Sequence, residues 1–152
     1  MKTGITFSTF DLLHAGHVAM LREAKTVCDH LICGLQVDPS LDRPEKNAPI
    51  QTLVERYVQL SGVKYVDEIV CYQSEDDVVD ILEMFPIDVK IMGGEYKDKD
   101  FTGKDTCKRK NIQLYFNNRS HRFSSSDLRK RVSLGEEMCY NKLSNNIGNT
   151  NG

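Results

Sequence analysis

The chain has no tryptophan and only four prolines in 152 residues. Its cysteines, Cys28, Cys33, Cys71, Cys107 and Cys139, are odd in number, and no two are spaced Cys-x-x-Cys. That argues against a disulfide framework and against a structural zinc site, and leaves the cysteines to be read as small buried hydrophobes. No apolar run approaches the ~20 residues that a membrane-spanning helix needs. The opening residues turn polar at Ser8 and Thr9, so they lack the apolar core of a secretory signal. A cytoplasmic protein of one domain, off the membrane, is expected. No internal repeat is visible.

What is present is charge, unevenly placed. The net charge is −2. Residues 67 to 95 carry Asp67, Glu68, Glu75, Asp76, Asp77, Asp80, Glu83, Asp88 and Glu95 against one base, Lys90. Residues 97 to 131 carry eleven Lys or Arg and four Asp, a local excess of 11 − 4 = +7. A cationic stretch in an acidic chain points to a specific anion site. It lacks the aromatic-basic interleaving of RNA-binding modules, so no nucleic acid is expected as a partner.

Apolar patterning alternates strand with helix. Gly4 to Phe7 reads as a strand and Gly16 to Cys28 as a helix with Val18, Leu21 and Ala24 on one face. Leu31 to Val37 is a second strand, and 38 to 49 a loop containing Pro39, Pro44 and Pro49. A helix follows from Thr52 to Leu60. Then come a strand at Glu68 to Tyr72, a helix at Asp76 to Phe85, and strands at Val89 to Met92 and Ile112 to Phe116. A last helix opens at Ser124 and ends near Leu134. The alternation predicts an α/β fold: a Rossmann-like, doubly wound parallel sheet of about five strands with helices on both faces. The folded domain is expected to span 1–135, and the Asn-rich segment 136–152 to be a flexible C-terminal tail. Ligands of such sheets bind beyond the carboxyl ends of the strands, here the loops 8 to 17, 93 to 96 and 117 to 126.

Two of those loops carry anion-binding chemistry. In Thr9-Phe10-Asp11-Leu12-Leu13-His14-Ala15-Gly16-His17, the two histidines are spaced to face one point as a helix begins. Gly16 lets backbone approach a ligand, and the free N–H groups of the helix start attract phosphate. In Arg119-Ser120-His121-Arg122-Phe123-Ser124-Ser125-Ser126, two arginines and a histidine precede three serines at another helix start. Arginine grips phosphate bidentately and serine adds donors. The His-Glu-x-x-His of metalloproteases is absent, and His-x-x-His read alone also fits structural histidines or a helical metal pair.

These motifs closely resemble the cytidylyltransferase-like nucleotidyltransferases, over residues 3 to 133. The nearest likeness is to glycerol-3-phosphate cytidylyltransferases. The family's His-x-Gly-His falls on His14 to His17, and its Arg-Thr-Glu-Gly-Ile-Ser-Thr-Thr on Arg119 to Ser126, with His121 and Arg122 in place of Glu and Gly. Ser8 stands where the family usually has Gly. The resemblance implies transfer of CMP from CTP to a phosphorylated alcohol or sugar, with pyrophosphate leaving and Mg²⁺ travelling with the nucleotide. His14, His17, Lys46 and Arg119 are then the catalytic set. Thr9, Phe10, Gly16, Gly93, Glu95, Ser124, Ser125 and Ser126 join them around the nucleotide. Asp11, Arg43 and Arg56 fall on the acceptor side. A homodimer is expected. The lysine that glycerol-3-phosphate cytidylyltransferases use near the acceptor falls on Val78, within the acidic stretch Ser74 to Asp77. Gly93-Gly94-Glu95-Tyr96 is similar to adenylyltransferases that act on heptose phosphates, which makes ATP the rival of CTP. A binding protein that senses nucleotide without turning it over is the alternative from another class.

Overall fold

The computed structural model describes residues 1–149. It divides into two compact units, Met1–His121 and Arg122–Gly152. In the first unit five strands, β1 (Thr3–Ser8), β2 (His30–Gln36), β3 (Glu68–Tyr72), β4 (Val89–Gly93) and β5 (Gln113–Asn117), form one parallel sheet in the order β3-β2-β1-β4-β5. This is the fold expected. The helices of this unit are α1 (Ala15–Lys25), α2 (Pro39–Asp42), α3 (Leu53–Ser61), α4 (Glu75–Met84) and α5 (Lys104–Arg109).

Both faces of the sheet are covered, so its central strands are apolar along their length rather than alternating. On one face Leu31, Cys33 and Leu35 of β2 and Val89 and Ile91 of β4 meet Leu21 and Ala24 of α1, Cys28 just beyond it, and Leu60 of α3. On the other, Ile5 and Ile32 meet Val78, Ile81 and Leu82 of α4 and Cys107 of α5. Helix starts are written locally in the sequence. Thr52 with Glu55 and Ser74 with Asp77 form reciprocal capping boxes. Asp38 caps α2, whose first residue is Pro39.

Three elements depart from the expected reading. Residues 39–42 form a helical turn inside what was expected to be loop. Helix α5 was not foreseen, because four of its six residues are charged and only Thr106 and Cys107 are buried. It starts after Gly103, whose φ of 84° suits glycine and whose added Cβ would meet Leu82 Cδ1 at 2.5 Å. The second unit is one helix, α6 (Ser125–Asn149), so the expected end near Leu134 is corrected. Gly135 costs a helix only about 1 kcal/mol, too little to stop a run of good helix formers. Residues 136–148 are exposed throughout, and 150–152 of the expected tail lie outside the described residues. No helix among the described residues is long and apolar enough to cross a membrane.

The order of strands fixes where a ligand can sit. From β1 the chain winds outward to β2 and β3, then returns to the opposite side of β1 for β4 and β5. Between β1 and β4 the winding reverses, which opens a crevice at their carboxyl ends. Within the first unit, the segments leaving β1, β4 and β5 all emerge at that edge.

Candidate active site

The segment leaving β1 is a strained turn held from three directions. Phe10 and Leu12 both have positive φ, 50° and 52°, which bulky side chains rarely adopt. Such strain persists only where neighbours enforce it. Here the enforcement comes from Asp11, whose carboxylate accepts from the Ile50 and Gln51 amides, each at 2.9 Å. Gln51 Oε1 in turn accepts from the Leu12 amide at 2.8 Å. Arg56 completes the clamp by donating to the carbonyls of Thr9, Gln36, Val37 and Gln51. The hydroxyl of Ser8, at the position where a glycine was the family expectation, accepts from the Phe10 amide at 3.4 Å.

That clamp delivers the chain to the start of α1 with His14 as its N-cap. Nδ1 of His14 accepts from the Gly16 amide at 3.0 Å, and Nδ1 of His17 accepts from the His14 amide at 3.2 Å. The two imidazoles therefore cap the helix as Ser and Glu do elsewhere. The consequence is chemical. A neutral imidazole whose Nδ1 accepts must carry its proton on Nε2. Both rings, when neutral, thus carry their proton on Nε2. The rings lie against each other with centroids 4.0 Å apart, and Phe10 backs His17 at 5.6 Å.

Electrostatics keep both rings neutral. Burial first, then the neighbouring His14, push the pKa of His17 down to about 4, with Asp11 opposing. For His14, burial lowers the pKa, and the charges of Arg119 and His121 lower it further. Those last two influences mean that the Arg119–His121 stretch beyond β5 lies near enough for its charges to act on His14. Neutral imidazole donors beside a guanidinium form a cradle for phosphate oxygens. Among the described residues no group of three His, Cys, Asp or Glu side chains is placed to hold a metal ion. The donors gathered here suit an anion rather than a resident cation.

The third loop adjoins the second. Gly93 is the last residue of β4 and pairs with Asn117. An added Cβ on Gly94 would stand 2.9 Å from the Asn117 carbonyl, and one on Gly93 would collide with the Glu95 carboxylate. Gly94 is therefore required by close approach of the β4 and β5 exits, whereas the contact at Gly93 is with a flexible, exposed side chain. Glu95 is exposed in a 3₁₀ turn, Gly94–Tyr96.

Other expected site residues are placed as follows. Thr9 is half-buried, while Phe10 is 1% exposed and belongs to the core behind His17. Gly16 is buried at the helix start. Asp11 and Arg56, expected toward the acceptor, hold backbone of the turn, and Arg56 is only 2% exposed. Arg43 pairs with Glu75 at 3.4 Å, joining the α2 loop to the acidic start of α4. Lys46 is exposed in that loop. Val78 is 4% exposed in the core, so its position offers nothing to an acceptor. In the second unit, Ser124 Oγ accepts from the Asp127 amide at 3.1 Å and caps α6, with Ser125 and Ser126 in its first turn. Glu23 was not anticipated. Its Oε1 accepts from the Tyr115 hydroxyl at 3.1 Å and the Asn118 amide at 2.9 Å. Partners 92 and 95 residues away leave no local sequence signal.

A parallel sheet whose winding reverses between β1 and β4, with imidazole and guanidinium donors gathered there, is an open α/β fold with a candidate anion site at its switch point. The chain belongs to the cytidylyltransferase-like family, whose model matches residues 5–131. It is 35% identical over 109 residues to the bifunctional protein HldE of Granulibacter bethesdensis, covering 71% of this chain and 22% of that protein. Against HldE of Wolinella succinogenes it is 35% identical over 120 residues, 78% of this chain and 25% of that protein. The chain therefore spans about a quarter or less of these relatives. The fold is shared with a lipopolysaccharide core biosynthesis protein from Thermoplasma volcanium, at TM-score 0.64 and 23% identity over 78% of this chain and 97% of that one. It is also shared with a putative nicotinate-nucleotide adenylyltransferase from Vibrio parahaemolyticus, at TM-score 0.56 and 17% identity over 89% of each.

Proposed function

We propose that this protein transfers a nucleoside monophosphate from a nucleoside triphosphate to a phosphorylated sugar or alcohol. The observation that carries the proposal is the pair of stacked imidazoles at the start of α1, whose Nδ1 atoms accept from backbone amides so that each neutral ring carries its proton on Nε2, with the Arg119 charge near His14. An oxygen of the acceptor phosphate attacks the α-phosphorus in line. The new P–O bond forms as the bond from the α-phosphorus to the α–β bridging oxygen breaks, and that oxygen leaves with the electron pair as pyrophosphate. The nucleophile is already ionised, so no general base is needed, and positioning with charge stabilisation suffices. His14 and His17 donate to the α- and β-phosphate oxygens as charge grows there, Arg119 holds the outer phosphates, and Lys46 closes on the triphosphate from its loop. Mg²⁺ bound with the nucleotide would neutralise part of the phosphate charge, leaving the rest to these side chains. On the sequence resemblance alone, Ser125 and Ser126 are proposed as further phosphate donors, and a homodimer as the assembly.

CTP is the donor implied by the family description, with CMP transferred. ATP with a sugar phosphate is the second reading. It is favoured by Gly93-Gly94-Glu95-Tyr96 and by the burial of Val78, which removes the acceptor lysine of the glycerol-3-phosphate enzymes. Pyrophosphate release should be measured with CTP and ATP, each against glycerol 3-phosphate, hexose and heptose phosphates, and phosphocholine. Release with one nucleotide and one acceptor class, lost in both His14→Asn and His17→Asn, supports the proposal. Nucleotide binding without release from any pair identifies a sensor instead, and near-normal turnover in both variants refutes the histidine mechanism.

A further inference from the structure

Helix α1 begins at the histidines and carries Glu23 nearer its other end. The carboxylate of Glu23 reaches across to β5. One oxygen, Oε1, accepts from the Tyr115 hydroxyl inside the strand and from the Asn118 amide just beyond it. The β4–β5 ladder ends at Gly93 and Asn117, so the next amide has no strand partner and Glu23 supplies one. Arg119 follows Asn118 directly. A carboxylate accepting from an amide forms a charge-assisted bond, stronger than a neutral pair. Because α1 is capped by His14 and His17 themselves, one rigid helix links the histidine donors to the anchor on the exit of β5.

We propose that Glu23 is a positioning residue: by holding Tyr115 and the Asn118 amide, it sets the course of the chain that carries Arg119 and His121 to the histidine turn. Glu23 itself touches no substrate. The inference rests on the nucleotidyltransferase reading only for its effect on nucleotide binding, since the placement of Arg119 is a property of the free protein.

The variants are Glu23→Ala, Glu23→Gln, Tyr115→Phe, Arg119→Ala and the Glu23→Ala/Arg119→Ala double. Two quantities are read in each. The first is the pKa of His14 in the free protein, by NMR. The second is the affinity for the Mg²⁺ complexes of CTP and ATP, by calorimetry. Glu23→Ala should raise the His14 pKa toward its ordinary value, because the Arg119 charge is no longer held nearby. It should weaken nucleotide binding about tenfold, roughly the worth of one charge-assisted hydrogen bond. Glu23→Gln keeps an acceptor oxygen and should restore both readings. Tyr115→Phe should move them the same way by less, and keeps the test open if Glu23→Ala does not fold. In the Arg119→Ala background, Glu23→Ala should add nothing. An unchanged His14 pKa in both Glu23→Ala and Tyr115→Phe overturns the inference, as does an equal loss of affinity with and without Arg119. A His14 shift as expected, in a protein that binds neither nucleotide, upholds the positioning role and refutes the functional reading.

Discussion

Acidifying the protein from pH 7.5 to 5 should cost it about 2 kcal/mol of stability through His17 alone. The pKa of His17 in the folded protein is about 4, against an ordinary 6.5. Between those values the unfolded chain binds a proton that the folded protein refuses, so stability rises with pH across the window. At pH 5 the unfolded imidazole is almost wholly protonated and the folded one scarcely so. The difference in proton binding integrates to about 2 kcal/mol, approaching about 3 kcal/mol below pH 4. The cause is local. A proton on Nδ1 of His17 would face the His14 amide, donor against donor, and undo the capping box at the start of α1. His14, also lowered, adds in the same direction. Urea unfolding between pH 4.5 and 8, on wild type and on His17→Asn, isolates the effect. Asparagine can offer Oδ1 to the His14 amide in place of Nδ1 but does not titrate. Its stability should therefore be flatter than wild type over pH 5 to 7.5 by about 2 kcal/mol. Parallel pH profiles for the two proteins would refute the assignment of a neutral, amide-accepting His17.

Two further substitutions test the scaffold around the site. Arg56→Ala strips hydrogen bonds from four backbone carbonyls around the Thr9 turn, and should cost about 4 kcal/mol or more, the scale reached when a buried hydrogen-bond network is broken. Arg56→Lys should recover less than half, because one ammonium cannot span the four acceptors; a denaturation midpoint near wild type for either would contradict the clamp. Gly103→Ala should cost about 1–3 kcal/mol, from the left-handed φ and the encounter with Leu82, read as a lower melting temperature. An unchanged melting temperature would mean that α5 has another way to start.

The sheet was legible because its strands are short apolar runs separated by helical periods and turn residues, and nothing in the first unit overrides that pattern. Helix α5 was not, because a six-residue helix with two inward residues has too little periodicity to register. For α6, Asn-rich composition predicted fraying, whereas the helix continues through Gly135 to Asn149. In the candidate site, the placing of His14 and His17 together at a helix start could be read from their spacing. The parts of Asp11 and Arg56 could not. A carboxylate and a guanidinium beside a phosphate motif look like ligand groups, and only coordinates reveal that their partners are backbone amides and carbonyls of the same turn. Phe10 likewise reads as a lining residue but supports His17 from the core. Glu23 acts on residues more than ninety positions away, beyond the reach of any local pattern.

The most direct measurement is nitrogen-15 NMR of the two imidazoles at pH 7, free and with the Mg²⁺ complex of CTP or ATP added. The account predicts that both His14 and His17 are neutral Nε2–H tautomers in the free protein, and that nucleotide shifts the Nε2 signals while leaving Nδ1 on its amide. Protonation on Nδ1, or Nε2 signals unmoved by saturating amounts of either nucleotide, would contradict it.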